Sequence, residues 1–220
     1  MNLPFTPEQF LSVFAYYNLT VWPAQVFLNL LALTAIALAI RPSSSSSRVI
    51  AGILAFLWLW TGLAYHIAFF ADINPAAKLF GAFNVLQGMV FLTYGVVRAK
   101  LTFGFRPDAR GIVGALLILY ALVIYPVLGH SFGHAYPRSP TFGLPCPTTI
   151  FTFGILLWTV GKVPKTILVI PFLWSLIGFS AALTMGIYED VGLLVSGVFG
   201  TGLIITRPFP DPTRRDALKP

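Results

Sequence analysis

The sequence predicts an all-α integral membrane protein, a bundle of about seven membrane-spanning helices. Three observations support this fold class. Of the 220 residues, 57% are hydrophobic and 10% are charged, whereas about a quarter of the residues of soluble domains are charged. The mean hydropathy is +0.82. Apolar runs long enough to cross a bilayer alternate with short polar segments, so we expect residues 1–220 to form a single membrane domain.

The N-terminal segment predicts a short helix at the membrane interface. Thr6 is placed to cap it, Pro7 suits its first turn, and Gln9 is spaced to complete a capping box. Apolar residues then recur at helical spacing: Phe10, Val13, Phe14 and Tyr17. Such a helix can lie in the interface before the chain enters the membrane.

Apolar periodicity predicts where the spans lie. They are expected at about residues 22–40, 49–70, 77–97, 112–128, 148–160, 166–187 and 191–205. The first is about 28 Å long as a helix, enough to cross the hydrocarbon core. The fifth reaches only about 20 Å and follows a proline-rich segment, which indicates a broken or re-entrant start. Residues 207–220 form a polar cytoplasmic tail.

The basic residues predict the orientation of the chain. All but two of the 14 Lys and Arg residues fall on one side of the predicted spans, and only Lys78 and Arg138 fall on the other. The basic side is expected to be cytoplasmic, which leaves the N-terminus outside and the C-terminus inside. In this arrangement the net charge of +7 reflects topology. The expected partner is therefore the lipid bilayer, with no nucleic acid, and the oligomeric state stays open.

The stretch 129–149 contains the strongest candidates for a metal site. His130 and His134 are four residues apart, so a helix through both would place their imidazoles on one face. His66 could add a third nitrogen and Cys146 a thiolate. Nitrogen and thiolate ligands favour zinc or copper over magnesium or calcium. Haem is a less favoured cofactor.

A structural alternative stands beside the metal hypothesis. Gly133 and Pro137 oppose a helix through both histidines, in which case His130 and His134 order a loop. The segment 129–149 is therefore helical, re-entrant or a surface loop. Cys146 is the only cysteine, which excludes an intrachain disulfide and favours a buried small side chain.

Polar residues within the spans are candidates for the lining of a site. Asn84 and Gln87 are three apart, so they share a helix face that should look into the bundle. Either could also be the partner that a buried His66 needs. Thr148 and Thr152 lie one turn apart on the fifth span.

Three acidic residues are candidate acid/base groups near the outer face: Asp72, Glu189 and Asp190. The simpler interpretation makes Asp190 the N-cap of the seventh span and leaves Glu189 in a solvated turn.

Together these residues favour a transporter or permease-like protein of the inner membrane. Its outward-facing His/Cys site would bind a metal ion or a small solute. A metal- or haem-dependent enzyme acting at the periplasmic face is an alternative, in which one of the acidic groups serves as general base to a metal-bound water. A non-catalytic membrane assembly partner is another.

Four segments together resemble a known family: LPFTPEQF, YNLTVWPAQ, YHIAFFADINPAA and GHAYPRSPTFGLPCPTTIFTFG. They are similar to an uncharacterised family of bacterial multi-span inner-membrane proteins, a domain of unknown function, over almost the whole chain. The resemblance implies a bacterial origin and this arrangement of spans. It implies no activity and no catalytic residues.

Overall fold

A computed structural model describes residues 4–206, and the regular elements in this range are all helices. The all-α prediction is confirmed for this part of the chain. The expected cytoplasmic tail, 207–220, lies outside the described residues.

The helices alternate in direction between two ends of a bundle. Four of them contain a π-helical segment. Their bounds are α1 (Pro7–Thr20), α2 (Ala24–Ile40), α3 (Ser46–Trp60, continued as a π-helix by Thr61–Ile67), α4 (Ala77–Phe91, continued by π-helical Leu92–Val97), α5 (Ala109–Leu119, π-helical Tyr120–Ile124, then Tyr125–Ser131), α6 (Pro145–Leu157), α7 (Thr166–Met185) and α8 (Val191–Val195, π-helical Ser196–Gly200, then Thr201–Ile205). Short 3₁₀ turns lie at Phe70–Asp72 and Tyr188–Asp190.

Five of the described helices are long and apolar enough to cross a membrane. They are Ser46–Asp72, Ala77–Val97, Ala109–Ser131, Thr166–Met185 and Tyr188–Ile205. Helices α1 and α2 would supply a sixth span if counted as one bent pair. The chain is thus compatible with an integral membrane protein, while seven spans and their orientation remain predictions.

The N-terminal helix begins with the predicted capping box. The Gln9 amide donates to Thr6 Oγ1 at 3.2 Å, and the Thr6 amide donates to Gln9 Oε1 at 2.8 Å. Helix α1 is bent by 85° from α2. The Phe14 ring stacks on Tyr65 of α3 with centroids 6.0 Å apart, so α1 lies across one end of the bundle. Its location at a membrane interface remains a prediction.

Helix α6 is the central helix of the bundle. Twelve of its 13 residues are buried, and Cys146 is partly buried. It begins at Pro145, three residues before the predicted start at Thr148. Helices α3, α5, α7 and α8 pack around it. A 13-residue helix is tolerated here because protein, rather than lipid, covers its polar ends.

The connections at one end of the bundle are joined by hydrogen bonds. The Phe103 amide donates to Ser47 Oγ at 3.0 Å, and the Gly104 amide donates to the Trp158 carbonyl at 2.8 Å. We call this the basic end, because its connections contain or adjoin Arg41, Arg48, Arg98, Lys100, Arg106, Arg110, Lys162 and Lys165. The opposite end, called the histidine end, comprises α1, the turn before α4, the loop 132–144 and the turn between α7 and α8.

Candidate ligand cavity at the histidine end

A cavity of about 320 Å³ lies at the histidine end between α1, α3, α6, α7 and the start of α8. Eight Phe, Tyr and Trp side chains contribute to its wall. The groups that bear on its chemistry are His66, Trp174, Cys146 and Asp190. We call it the His66 cavity. An apolar enclosure with a few polar groups is the usual composition of a small-molecule site.

His66 is the most unusual polar residue of this wall. Its side chain is 0% exposed, and neither ring nitrogen has a hydrogen-bond partner within residues 4–206. The nearest rings are Trp174 and Tyr65, with centroids 5.0 and 5.2 Å away, and Phe80 follows at 5.9 Å. Leaving a buried polar group unpaired is costly, and unpaired groups are rare in native structures. The imidazole is therefore available to a ligand.

The π-helical segment of α3 determines which way His66 points. Hydrogen bonds from residue i to i+5 put residues five apart on one face, so Thr61 and His66 both face the interior. Thr61 donates to Asn84 Oδ1 at 2.8 Å. Asn84 therefore partners Thr61, and not His66 as the sequence allowed.

Trp174 of α7 provides a second polar group that lacks a nitrogen or oxygen partner. Its Nε1 meets no such acceptor among the described residues, and the group that interacts with it is the Cys146 thiol, a weak acceptor. A Cβ placed on Gly178 would lie 3.4 Å from Trp174 Nε1 and 3.6 Å from Cys146 Sγ. The indole N–H and the thiol thus lie on the same side of the cavity. Sequence reasoning missed Trp174, since a tryptophan in an apolar helix is usual in a membrane bundle.

Asp190 lines the cavity from the start of α8. It is 4% exposed, and Tyr125 donates its hydroxyl proton to Asp190 Oδ1 at 2.6 Å. The Cys146 thiol also interacts with this carboxyl group. Asp190 occupies the N-cap position of α8, but its side chain makes no capping hydrogen bond. The predicted N-cap position is thus confirmed, but the side chain does not cap the helix, because the carboxyl group turns into the bundle.

Glu189 and His134 form a pair beside the cavity. Glu189 is 0% exposed, and its Oε1 lies 3.0 Å from His134 Nδ1. The expected solvated turn is therefore wrong for Glu189. Helix α5 ends at Ser131, and Gly133 follows with φ +91°. His130 and His134 consequently do not share a helix face, and His134 orders a loop against Glu189.

The metal hypothesis gains no support from this arrangement. Within residues 4–206 no group of three or more His, Cys, Asp or Glu side chains could hold a metal ion. His66 stands among aromatic rings, while Cys146 and His134 interact with different carboxyl groups. His130 and Asp72 are exposed. Nothing in this geometry favours zinc, copper or haem.

The four expected lining residues lie deeper than the cavity wall and are all buried: Asn84, Gln87, Thr148 and Thr152. Gln87 Nε2 donates to the Ile167 carbonyl at 3.0 Å. Pro171 inside α7 has no N–H for that carbonyl, so Gln87 replaces the missing helical donor. Trp58 Nε1 donates to Thr152 Oγ1 at 3.0 Å. These contacts mainly connect helices.

The fold and the cavity define a class: an all-helical protein compatible with a membrane and containing a mostly apolar cavity at one end of the bundle. The chain belongs to a family of unknown function (DUF6064), whose model matches residues 7–215. The resemblance seen in the sequence is confirmed at the level of an uncharacterised domain family. No curated protein matches the chain, and no solved structure matches it. The geometry of the His66 cavity is therefore the main guide to function.

Proposed function

We propose that this protein is a permease-like membrane carrier that binds a small organic solute in the His66 cavity. The observation that supports the proposal is His66 itself. A fully buried imidazole with two unpaired nitrogens faces a mostly apolar cavity. A ligand that hydrogen-bonds this ring offsets a desolvation cost that the protein alone leaves unpaired.

The size and the wall of the cavity indicate the kind of solute. Its volume of about 320 Å³ is at the lower end of ligand pockets, roughly 300–1,000 Å³, which fits a small molecule. Eight aromatic rings contribute to a mostly apolar wall, and the polar groups are few. The solute would thus have an apolar body and one or two hydrogen-bonding groups.

The exposed residues of the cavity wall indicate a lateral route of entry. They come from the N-terminal segment, the turn before α4 and the outer face of α7: Pro4, Ala76, Ile177, Ser180 and Thr184. A solute could pass between these elements from the membrane interface. Deeper in the bundle, Asn84, Gln87 and Thr148 extend buried polar groups toward its middle, which supports passage beyond the cavity.

A metal ion is less favoured as the bound species. Two pairs of potential metal ligands interact, His134 with Glu189 and Cys146 with Asp190, and neither pair has a third such group beside it among the described residues. A metal-dependent enzyme at the periplasmic face is disfavoured for the same reason. A non-catalytic assembly partner predicts that substitutions in the cavity leave small-molecule binding unchanged.

The proposal is tested by comparing ligand binding in the wild type with binding in a variant whose bulkier side chain fills the His66 cavity. We would measure the thermal unfolding of the detergent-purified protein with three probes: benzyl alcohol, benzoate and benzyltrimethylammonium. At least one probe should raise the Tm of the wild type, and Ala181→Phe, which fills the cavity wall, should abolish the shift. Ala37→Phe on the exposed face of α2 is the matched control and should keep it.

Transport is tested with the probe that binds. Proteoliposomes containing the wild type or Ala37→Phe should take up that probe faster than empty liposomes, and Ala181→Phe should remove the difference. Binding without uptake would leave a receptor in place of a carrier. A wild type whose Tm responds to none of the probes would contradict the proposed function.

A further inference from the structure

We propose that the solute of the His66 cavity is a small organic ammonium ion that carries an oxygen acceptor. This inference rests on the proposed function and adds the charge of the ligand. Three features of the cavity support it: the aromatic wall, a buried carboxyl group without a cationic partner among the described residues, and the nitrogens of His66 and Trp174, which lack an oxygen or nitrogen partner there.

The aromatic wall is suited to a cation. Trp174 and Phe80 meet edge to face with centroids 5.5 Å apart, and Phe70 closes the same side with its centroid 6.1 Å from His66. The faces of such rings carry negative charge density and attract ammonium groups, tryptophan most strongly. Aromatic enclosures of this kind are the usual recognition device for quaternary ammonium ions.

The charged groups around the cavity point to the same sign of charge. No Lys or Arg is among its described lining residues, which do include the carboxyl group of Asp190. The basic side chains of the described chain that form ion pairs are used elsewhere: His134 pairs with Glu189, and Arg138 with Glu8.

Asp190 therefore lacks a cationic partner within residues 4–206. Its described polar contacts are the Tyr125 hydroxyl and the Cys146 thiol, both of which are uncharged donors. A buried carboxylate without a countercharge is unfavourable. An ammonium ion in the cavity would supply the countercharge, whereas a carboxylate or phosphate ligand would face Asp190 with no Lys or Arg among the described lining residues to offset it.

The hydrogen-bonding capacity of His66 and Trp174 narrows the choice of ligand further. A neutral imidazole has one acceptor nitrogen, so His66 can accept a hydrogen bond from an O–H or N–H group of the ligand. The Trp174 indole N–H can only donate, and the Cys146 sulfur beside it is a weak acceptor, so a hydroxyl or carbonyl oxygen on the same ligand satisfies it better. A small amino alcohol or an amine bearing a carbonyl group has both features and fits a cavity of about 320 Å³.

Binding of matched cationic and neutral probes tests the inference. Choline and its uncharged carbon isostere, 3,3-dimethyl-1-butanol, have the same shape and differ in charge. Isothermal titration calorimetry with the wild type should show choline binding about tenfold tighter or more, as expected for a desolvated charge pair. Asp190→Asn should remove this preference while retaining the neutral alcohol.

Glu8→Gln is the matched control, because Glu8 is an exposed carboxylate paired with Arg138; it should keep the preference for choline. If Asp190→Asn does not fold, Trp174→Leu gives the second test and should weaken choline more than the alcohol. Equal affinities in the wild type, tighter binding of the alcohol, or an unchanged preference in Asp190→Asn would overturn the ammonium inference. If the two ligands bind equally or the alcohol binds more tightly, and Ala181→Phe abolishes that binding, the ammonium inference fails but the proposed function of the cavity stands. If neither these probes nor the benzyl compounds bind, the proposed function fails instead.

Discussion

The tryptophan side chains at the two ends of the bundle differ in their hydrogen-bond partners. At the basic end Trp158 donates its Nε1 proton to the Gly111 carbonyl at 2.9 Å, and the connections are joined by backbone hydrogen bonds. At the histidine end Trp174 Nε1 has the weak Cys146 sulfur as its partner among the described residues, and the ring lies beside an unpaired His66. Trp58 and Trp60 donate to hydroxyl oxygens. Among these four tryptophans, only the one beside the cavity lacks an oxygen acceptor.

This difference separates a structural half of the protein from a binding half. In the structural half, Trp58 Nε1, Gln87 Nε2 and Trp158 Nε1 each donate a hydrogen bond to another helix, so their loss should reduce stability. On the cavity wall the ring nitrogens of His66 are unpaired, so loss of that ring should reduce ligand binding with little cost in stability. Substitutions of the same residue type in the two halves test this difference.

The largest expected effect lies where α5 and α6 touch. A Cβ on Gly114 would lie 2.8 Å from the Gly154 carbonyl and from the Trp158 ring. Gly114→Ala should therefore lower the free energy of unfolding by about 2–3 kcal/mol through overpacking. Gly202→Ala, where a Cβ would meet nothing within 4 Å, is the control and should be neutral or slightly stabilising. Equal losses in unfolding experiments would refute close packing at this crossing.

The next effect compares two buried polar side chains. Gln87→Leu should cost about 1–3 kcal/mol, because it leaves the Ile167 carbonyl without a donor beside Pro171. His66→Leu should be neutral or stabilising, since no protein hydrogen bond of the described chain is lost. Thermal unfolding of the two variants checks this. A large loss in His66→Leu would mean that the imidazole is structural.

A smaller difference is expected between two tryptophans. Both Trp158→Phe and Trp174→Phe remove ring volume, but the first removes a hydrogen bond to a carbonyl oxygen and the second only a weak interaction with the Cys146 sulfur. Trp158→Phe should be more destabilising by about 1 kcal/mol. Trp174→Phe should instead weaken the binding of the cavity probe. Identical losses of stability would indicate that Trp174 Nε1 has a hydrogen-bond partner as strong as that of Trp158.

The smallest effect concerns the surface ion pair at the histidine end. Arg138 Nη2 lies 2.6 Å from Glu8 Oε1, but both side chains are largely exposed. Glu8→Gln should change the free energy of unfolding by less than about 1 kcal/mol, and the change should shrink at high salt. Unfolding at two salt concentrations measures it. A larger, salt-independent loss would show that this pair holds α1 against the loop.

The sequence predicted most of what depends on local pattern. Apolar periodicity placed α4 at 77–97 and α7 within two residues of its end, and Thr6 and Gln9 correctly marked the start of α1. The basic residues were correctly grouped into a few connections. These features follow from composition and short-range spacing, so a single sequence contains them.

The site depended on contacts that local pattern does not contain. His134 pairs with Glu189 across 55 residues, and Tyr125 bonds Asp190 across 65, so neither pair is visible as a motif. The π-helical segment Thr61–Ile67 also changes the helical phase before His66, and a 3.6-residue period assigns that face wrongly. The burial of α6 depends on four surrounding helices.

Cys146 offers the most direct test of the central claim that the histidine end contains an accessible small-molecule site. It is the only cysteine in the chain and lines the His66 cavity, so its modification by methyl methanethiosulfonate can be followed by mass spectrometry of the folded protein. Cys146 should be modified in the folded protein, and the rate of modification should fall when benzyltrimethylammonium is bound or when Ala181→Phe fills the cavity. A rate that neither change alters, or a thiol that reacts only after unfolding, would contradict it.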